Sequence, residues 1–167
     1  KSVPARESMK TIAYEIVEQL GWHAPDWYIQ AVSGGLGPLG VHHGFRELFA
    51  MGLIDHIPAL GVIQAEGCAP MVRAFKANKE VANPIIPETR IAILSTGDPG
   101  KTYTHLFKLA KQYGGTMESV SDRQAFDSMI KLATSEGLAV EPAAAVAFAG
   151  LEKMIAQGTI KPDELVV

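Results

Sequence analysis

Short apolar runs alternate along the chain with longer stretches in which apolar residues return every three or four positions. Met9, Ile12, Ala13, Ile16, Val17 and Leu20 share one face of a helix expected from Ser8, and Gly21 can close it in a left-handed cap. Residues 1–6, containing Pro4, read as an irregular lead-in. Residues 27–32 (WYIQAV) are rich in aromatic and branched side chains, as a buried strand should be. They run directly into Ser33-Gly34-Gly35-Leu36-Gly37-Pro38, and a helix is expected over residues 39–51. The rhythm then repeats. Strands are expected at 59–65, 91–94 and 116–120, with helices at 70–77 and 104–113. Ser121 and Gln124 have the spacing of a capping box before a helix whose apolar face is Ala125, Phe126, Met129, Ile130 and Ala133. Pro142 suits the first turn of an alanine-rich helix ending near Gly158, and Leu165, Val166 and Val167 resemble the start of another strand.

Strands alternating with helices through short loops predict an α/β fold of three layers, a mainly parallel sheet with helices on both faces. One domain covering residues 1–167 is expected, as part of a longer two-domain polypeptide, because the chain opens at Lys1 and stops inside an apparent strand. An incomplete sheet leaves apolar edges that invite pairing, which makes a homodimer one expected assembly.

Composition narrows the function classes. Hydrophobic residues at 47% and charged residues at 20% allow a sizeable core. A net charge of −3 with no basic run argues against a nucleic-acid partner. No apolar stretch has the length of a membrane span and no signal-peptide pattern opens the chain, so a cytoplasmic setting is expected. Cys68 is the only cysteine, which excludes an internal disulfide.

The strongest chemical signal is the strand–glycine loop–helix unit beginning at Trp27. Glycines let backbone amides approach a ligand closely, and a helix N-terminus adds positive potential, so an anion is favoured there. Three ligands compete with a plain tight turn. Gly35, Gly37 and Gly40 satisfy the dinucleotide pattern G-x-G-x-x-G, with Glu66 ending the second strand, although Pro38 removes one amide. Gly100-Lys101-Thr102 has the ending of a nucleotide-triphosphate loop, but Ser95 stands where the pattern needs glycine and Pro99 deletes another amide. The third ligand is the single phosphate of pyridoxal phosphate, held by the amides of residues 33–37 with the Ser33 hydroxyl as a further donor.

Several segments carry a family resemblance, in order along the chain. Glu7-Ser8-Met9-Lys10-Thr11 with Ala13-Tyr14-Glu15-Ile16 is similar to an E-G-x-K-T-x-A-x-E-I helix. Val32 to Gly37 takes the place of a glycine-rich phosphate loop, followed by Gly44-Phe45-Arg46-Glu47-Leu48. Gly61-Val62-Ile63-Gln64-Ala65-Glu66-Gly67, then Glu136-Gly137 and Glu141-Pro142-Ala143-Ala144-Ala145, complete the set. Together they resemble the C-terminal part of the threonine synthase-like group of fold-type II (tryptophan-synthase-β-like) pyridoxal-phosphate enzymes, with cysteate synthase a relative. The resemblance implies pyridoxal 5′-phosphate as cofactor and a lyase or synthase that eliminates or replaces a group on a phosphorylated amino acid. It implies cofactor contacts from Ser33, Gly34, Gly35, Leu36 and Gly37. The cofactor's anchoring lysine belongs to an earlier segment of the family pattern, so no catalytic residue is expected within this chain. The phosphate loop departs from the G-N-G-G-N often found in these relatives.

Other residues gain less. Gly97 and Asp98, after the expected third strand, either line the cofactor face or form a plain turn. His42 and His43 diverge by about 100° on a helix and cannot share a metal, so surface or substrate-edge positions are expected and no metal site is assigned. Cys68 reads as a small buried residue, Glu66 as a strand-end group, Glu141 as a helix-start acid, and residues 143–147 as close helix packing.

Overall fold

The computed structural model describes residues 3–167. Three parallel strands form the sheet in the order β1-β2-β3: β1 (Trp27–Ala31), β2 (Ala59–Ala65) and β3 (Thr116–Val120). Among the described residues seven α-helices accompany it: α1 (Val3–Glu7), α2 (Lys10–Gln19), α3 (Leu36–Ala50), α4 (Pro70–Lys76), α5 (Lys101–Tyr113), α6 (Asp122–Ser135) and α7 (Pro142–Ala156). Gln30 lies opposite Val62 in one ladder, and Val62 opposite Met117 in the other. Leu165, Val166 and Val167 enter this order beside β1, where Trp27 pairs with Val166 and Ile29 N–H donates to the Val167 carbonyl at 2.7 Å.

β2 is central and apolar on both faces, as a parallel strand covered from two sides must be. On one face Leu60 and Val62 meet Val17, Val41, Phe45, Leu106 and Met117, contributed by helices and the neighbouring strand. On the other, Ile63 and Ala65 meet Val146, Ala149 and Met154 of α7. The alanine-rich helix lies flat on the sheet: a Cβ built on Gly150 would come within 2.5 Å of the Ile63 side chain. Ser121 caps α6 with the reciprocal Gln124 bonds the sequence pattern predicts. A parallel sheet with helices packed on both faces is thus the α/β architecture expected.

Three expectations at element level are corrected. Residues 91–94 are not a strand but enclose a short 3-10 turn, Ala92–Leu94. β3 already occupies the free edge of β2, so this apolar run buries Ile91 and Leu94 singly while Ile93 stays 67% exposed. The lead-in contains α1; its first two residues lie outside the described ones. Finally α3 and α5 each begin three residues earlier than expected, at Leu36 and Lys101, so the glycine loop is itself the helix start.

The outer edge of β3 is closed by charge. Glu118, only 6% exposed, receives Lys76 from α4 and Lys153 from α7, both at 2.8 Å. Burial pushes the Glu118 pKa up, but the two ammonium groups more than reverse this and hold it below the ordinary glutamate value. An inward-pointing charge also discourages edge-to-edge pairing. Glu118→Ala would strip the half-buried Lys153 of its ion pair and leave it only the Ser119 carbonyl, which it meets at 2.7 Å. With the lysines partly solvated, the expected loss is about 2 kcal/mol, read as a lower urea midpoint with unchanged slope. An unaltered midpoint would show the pairs to be neutral.

Candidate functional site

The chain leaves β1 at Ala31 and must turn into α3 within four residues. Gly35 makes this possible: it is the N-cap of α3 at φ +76°, a left-handed conformation that costs other residues energy. A Cβ there would also strike Leu106 at 2.6 Å and the Met71 methyl at 3.2 Å. Gly37, one position into the helix, lies so close to β1 that a Cβ would sit 2.6 Å from the Gln30 amide. Gly35 itself brings no side chain to cap α3. Its first-turn amides are therefore presented by a loop too tight for side chains.

Residues 30–38 line a cavity of about 210 Å³. All five expected residues of the glycine loop, Ser33, Gly34, Gly35, Leu36 and Gly37, are among them. The Ser33 hydroxyl is hydrogen-bonded to the Thr96 hydroxyl, which ties the loop to the segment before α5. A second recess of about 420 Å³ shares Gln30, Ala31 and Ser33 and continues to Leu94, Glu141 and Ala144. A third, of about 380 Å³, shares Leu36 and is bordered by Arg6, Asp98, Lys101 and His105.

Gly97 is placed beside this group rather than in the wall formed by residues 30–38. Its carbonyl accepts the Ile85 N–H at 3.0 Å, and a Cβ on it would lie 2.0 Å from the Ile85 carbonyl. Its smallness lets two loop segments touch, next to the Thr96 that meets Ser33. Thr96 and Gln30 were not among the expected site residues. A signal for Gln30 did exist: β1 and β2 each carry a lone glutamine, Gln30 and Gln64, near the C-terminal end of an apolar run.

His42 corrects the surface expectation. It is fully buried in α3, with its ring 4.8 Å from that of Tyr113 and neither ring nitrogen hydrogen-bonded. The two histidines do diverge, but the inward direction falls to His42 because α3 turns Val41, Phe45 and Leu48 to the core. Burial, with help from the positive charge of Arg46 and from His43, lowers its pKa from 6.5 to about 4. Cys68 is buried as expected, and burial pushes its thiol pKa up. Glu66 is exposed in a 3-10 turn, and Glu141 precedes α7 without a side-chain capping bond.

With this geometry in place, the comparisons with known proteins become decisive. The pyridoxal-phosphate dependent enzymes match this sequence over residues 3–167. The chain belongs to that family. The family's cofactor is pyridoxal 5′-phosphate. Similar proteins include the threonine synthase of Methanosarcina acetivorans, 37% identical over 96% of this chain and 40% of the relative. The cysteate synthase of Methanospirillum hungatei is 31% identical, covering 100% of this chain and 42% of its own length. The chain thus spans about two-fifths of the length of these curated relatives. Among solved structures, maize serine racemase superposes with a TM-score of 0.77 at 18% identity, over 99% of this chain and 48% of that one. A fungal L-serine ammonia-lyase from Rhizomucor miehei gives 0.75 at 21%, over 97% and 50%. These two establish the shared fold. The dinucleotide alternative finds no support in this family match; Gly40 instead admits the Arg6 carbonyl, 2.4 Å from where a Cβ would stand.

Buried His42 makes stability depend on pH in a definite direction. Its folded pKa, about 4, lies below the unfolded 6.5, so the unfolded chain binds more protons between these values. Stability is therefore full above about pH 6.5 and falls as pH drops toward 4, by on the order of 3 kcal/mol. His42→Leu should flatten the upper part of this slope, above the carboxylate range. Denaturant midpoints measured from pH 7 to 5 check it. Identical slopes in both proteins would mean that His42 becomes protonated without opening the core.

Proposed function

We propose that this chain is the cofactor-phosphate-binding portion of a larger pyridoxal-phosphate lyase or synthase resembling threonine synthase. The single observation that carries the reading is the cavity at the start of α3, lined by Ser33, Gly34, Gly35, Leu36 and Gly37, where added Cβ atoms at Gly35 and Gly37 would collide with their surroundings. A phosphate fits such a cradle because backbone N–H groups and the helix N-terminus supply donors and positive potential without a cationic side chain. Ser33 adds a hydroxyl held in place by Thr96. Gly97 keeps the Thr96 segment close by allowing the Ile85 contact. When bound, the cofactor supplies an electron sink for breaking bonds next to the amino-acid α-carbon.

The residues that line the cavity include no lysine. Lys10 is engaged by Glu7 and Glu47, and Lys76 by Glu118. Lys101 borders the neighbouring recess. In our reading the covalent anchor therefore comes from another part of the parent enzyme, and this chain alone grips the cofactor without turning substrate over. Its contribution is to fix the phosphate end and so orient the ring, which is a positional role. The substrate in this reading is a phosphorylated amino acid, by analogy with the relatives, and elimination or replacement at its side chain is the reaction of the parent.

Titration of the chain with pyridoxal phosphate, followed by phosphorus NMR, tests the reading. Saturable binding that inorganic phosphate displaces is expected. Ser33→Ala removes one donor to a charged group and should weaken binding by roughly tenfold. Leu36→Asp, which brings a carboxylate to the mouth of the cradle, should abolish it. Binding that neither substitution changes would place the phosphate elsewhere and end the assignment.

A further inference from the structure

We propose that Gln64 is a positioning residue for the phosphate cradle, acting through Met71 on Gly35. The inference rests on reading residues 33–37 as that cradle. Gln64 stands near the C-terminal end of β2, on the strand's Leu60–Val62 side, and is fully buried. Its Oε1 accepts the backbone N–H of Met71 at 2.9 Å and that of Val72 at 3.2 Å. These amides belong to the first turn of α4, which has no cap from a side chain of its own N-cap residue, Ala69. A glutamine on the strand therefore does the work of a helix cap across the gap between two elements.

The orientation of that amide has a cost. Turning Oε1 toward α4 gives two donors an acceptor, whereas turning Nε2 there would set donors against donors. The observed orientation leaves Nε2 buried without a hydrogen-bond partner, a cost of about 1–3 kcal/mol. The two bonds to α4 offset it, and they fix Met71 at its backbone.

Met71 is itself fully buried, and its methyl lies 3.2 Å from where a Cβ on Gly35 would stand, beside Leu106 at 2.6 Å. A thioether can adjust through three torsions, but full burial restricts them, so here the tip follows the backbone. Pinning the Met71 amide to Gln64 sets where that methyl presses on the left-handed turn. Gln30 supports the other side of the loop directly, at Gly37. The loop is thus held between two glutamines from adjacent strands, one touching it and one acting at a single residue's remove.

The test uses the nitrogen-15-labelled chain well below its melting transition, reading the backbone amide resonances of residues 33–37 together with pyridoxal phosphate affinity. Gln64→Met keeps the volume but removes both hydrogen-bonding atoms. It is expected to shift the Gly35, Leu36 and Gly37 resonances and to weaken binding by roughly tenfold or more. Gln64→Glu, which keeps an acceptor at the same reach, should return those resonances toward wild type. Met71→Leu leaves the Gln64 bonds in place but shortens the contact to Gly35. It should reproduce the loop shifts, which shows that Met71 reaches the loop. If Gln64→Met fails to fold, Gln64→Asn decides the matter, because its acceptor stops one methylene short of the Met71 and Val72 amides. Unmoved loop resonances there overturn the proposal. A lower melting temperature in Gln64→Met with unmoved loop resonances and unchanged affinity would reduce Gln64 to a structural role and overturn the proposal. Loop resonances that move while the wild-type chain binds no pyridoxal phosphate would sink the cofactor reading and leave the Gln64–Met71–Gly35 coupling standing.

Discussion

A left-handed residue at the end of β1 governs this structure. A parallel strand that feeds a helix on one face of its sheet must reverse its path within a few residues, and here Gly35 makes the reversal at φ +76°. Absence of a side chain at that point serves two ends at once. It permits the turn, and it lets Leu106 and Met71 close over the turn from α5 and α4. Both helices can then approach β2, whose apolar faces need covering along nearly their whole length. The cradle and the core are consequences of one backbone constraint, so a residue that damaged the first would also disturb the second.

The same economy explains why the cradle can be chemically plain. In the proposed reading its donors are backbone groups, which have no rotamers to order and no charge to desolvate, with the Ser33 hydroxyl beside them. What they require is support, because Gly34, Gly35 and Gly37 bring no side chains to fix the loop. That support comes from outside the loop: the Gln30 amide against Gly37, the Met71 methyl against Gly35, and Thr96 against Ser33. Charged groups are kept at the periphery, as with Lys76 and Lys153 converging on Glu118 at the far edge of the sheet.

Much of this was legible along the chain, and the exceptions share a cause. Periodicity located β1, β2, β3 and the long helices because their apolar faces are regular, and Ser121 with Gln124 announced the start of α6 through side-chain chemistry that is local. The loop at residues 33–37 was legible for a similar reason, since glycine at a strand-to-helix junction is a backbone requirement written in one residue type. Ile91 to Leu94 has the composition of a strand, but whether it becomes one depends on a free edge, and β3 had taken it. His42 illustrates the same limit. Val41, Phe45 and Leu48 mark the inward side of α3, but the ring that receives His42 belongs to Tyr113, over seventy residues away, and no local pattern encodes that contact. Thr96 reaches Ser33 across an interval of 63 residues. Sequence reveals what a segment can do by itself; the partners that decide between options are nonlocal.

The division of labour in the proposed cofactor site follows from the same separation. Gripping a phosphate needs rigid amides, and the start of α3 supplies them from a well-packed layer. Covalent chemistry needs a lysine that can approach and leave the cofactor's reactive carbon, and the lysines engaged with Glu7, Glu47 and Glu118 are held for other purposes. A cation placed inside the cradle would compete with the amides for the phosphate and would tie the covalent step to the rigid floor of the sheet. An anchor on a separate element, as proposed, would leave the phosphate end stationary. In that arrangement the cradle would govern orientation and leave the choice of substrate to surfaces beyond it.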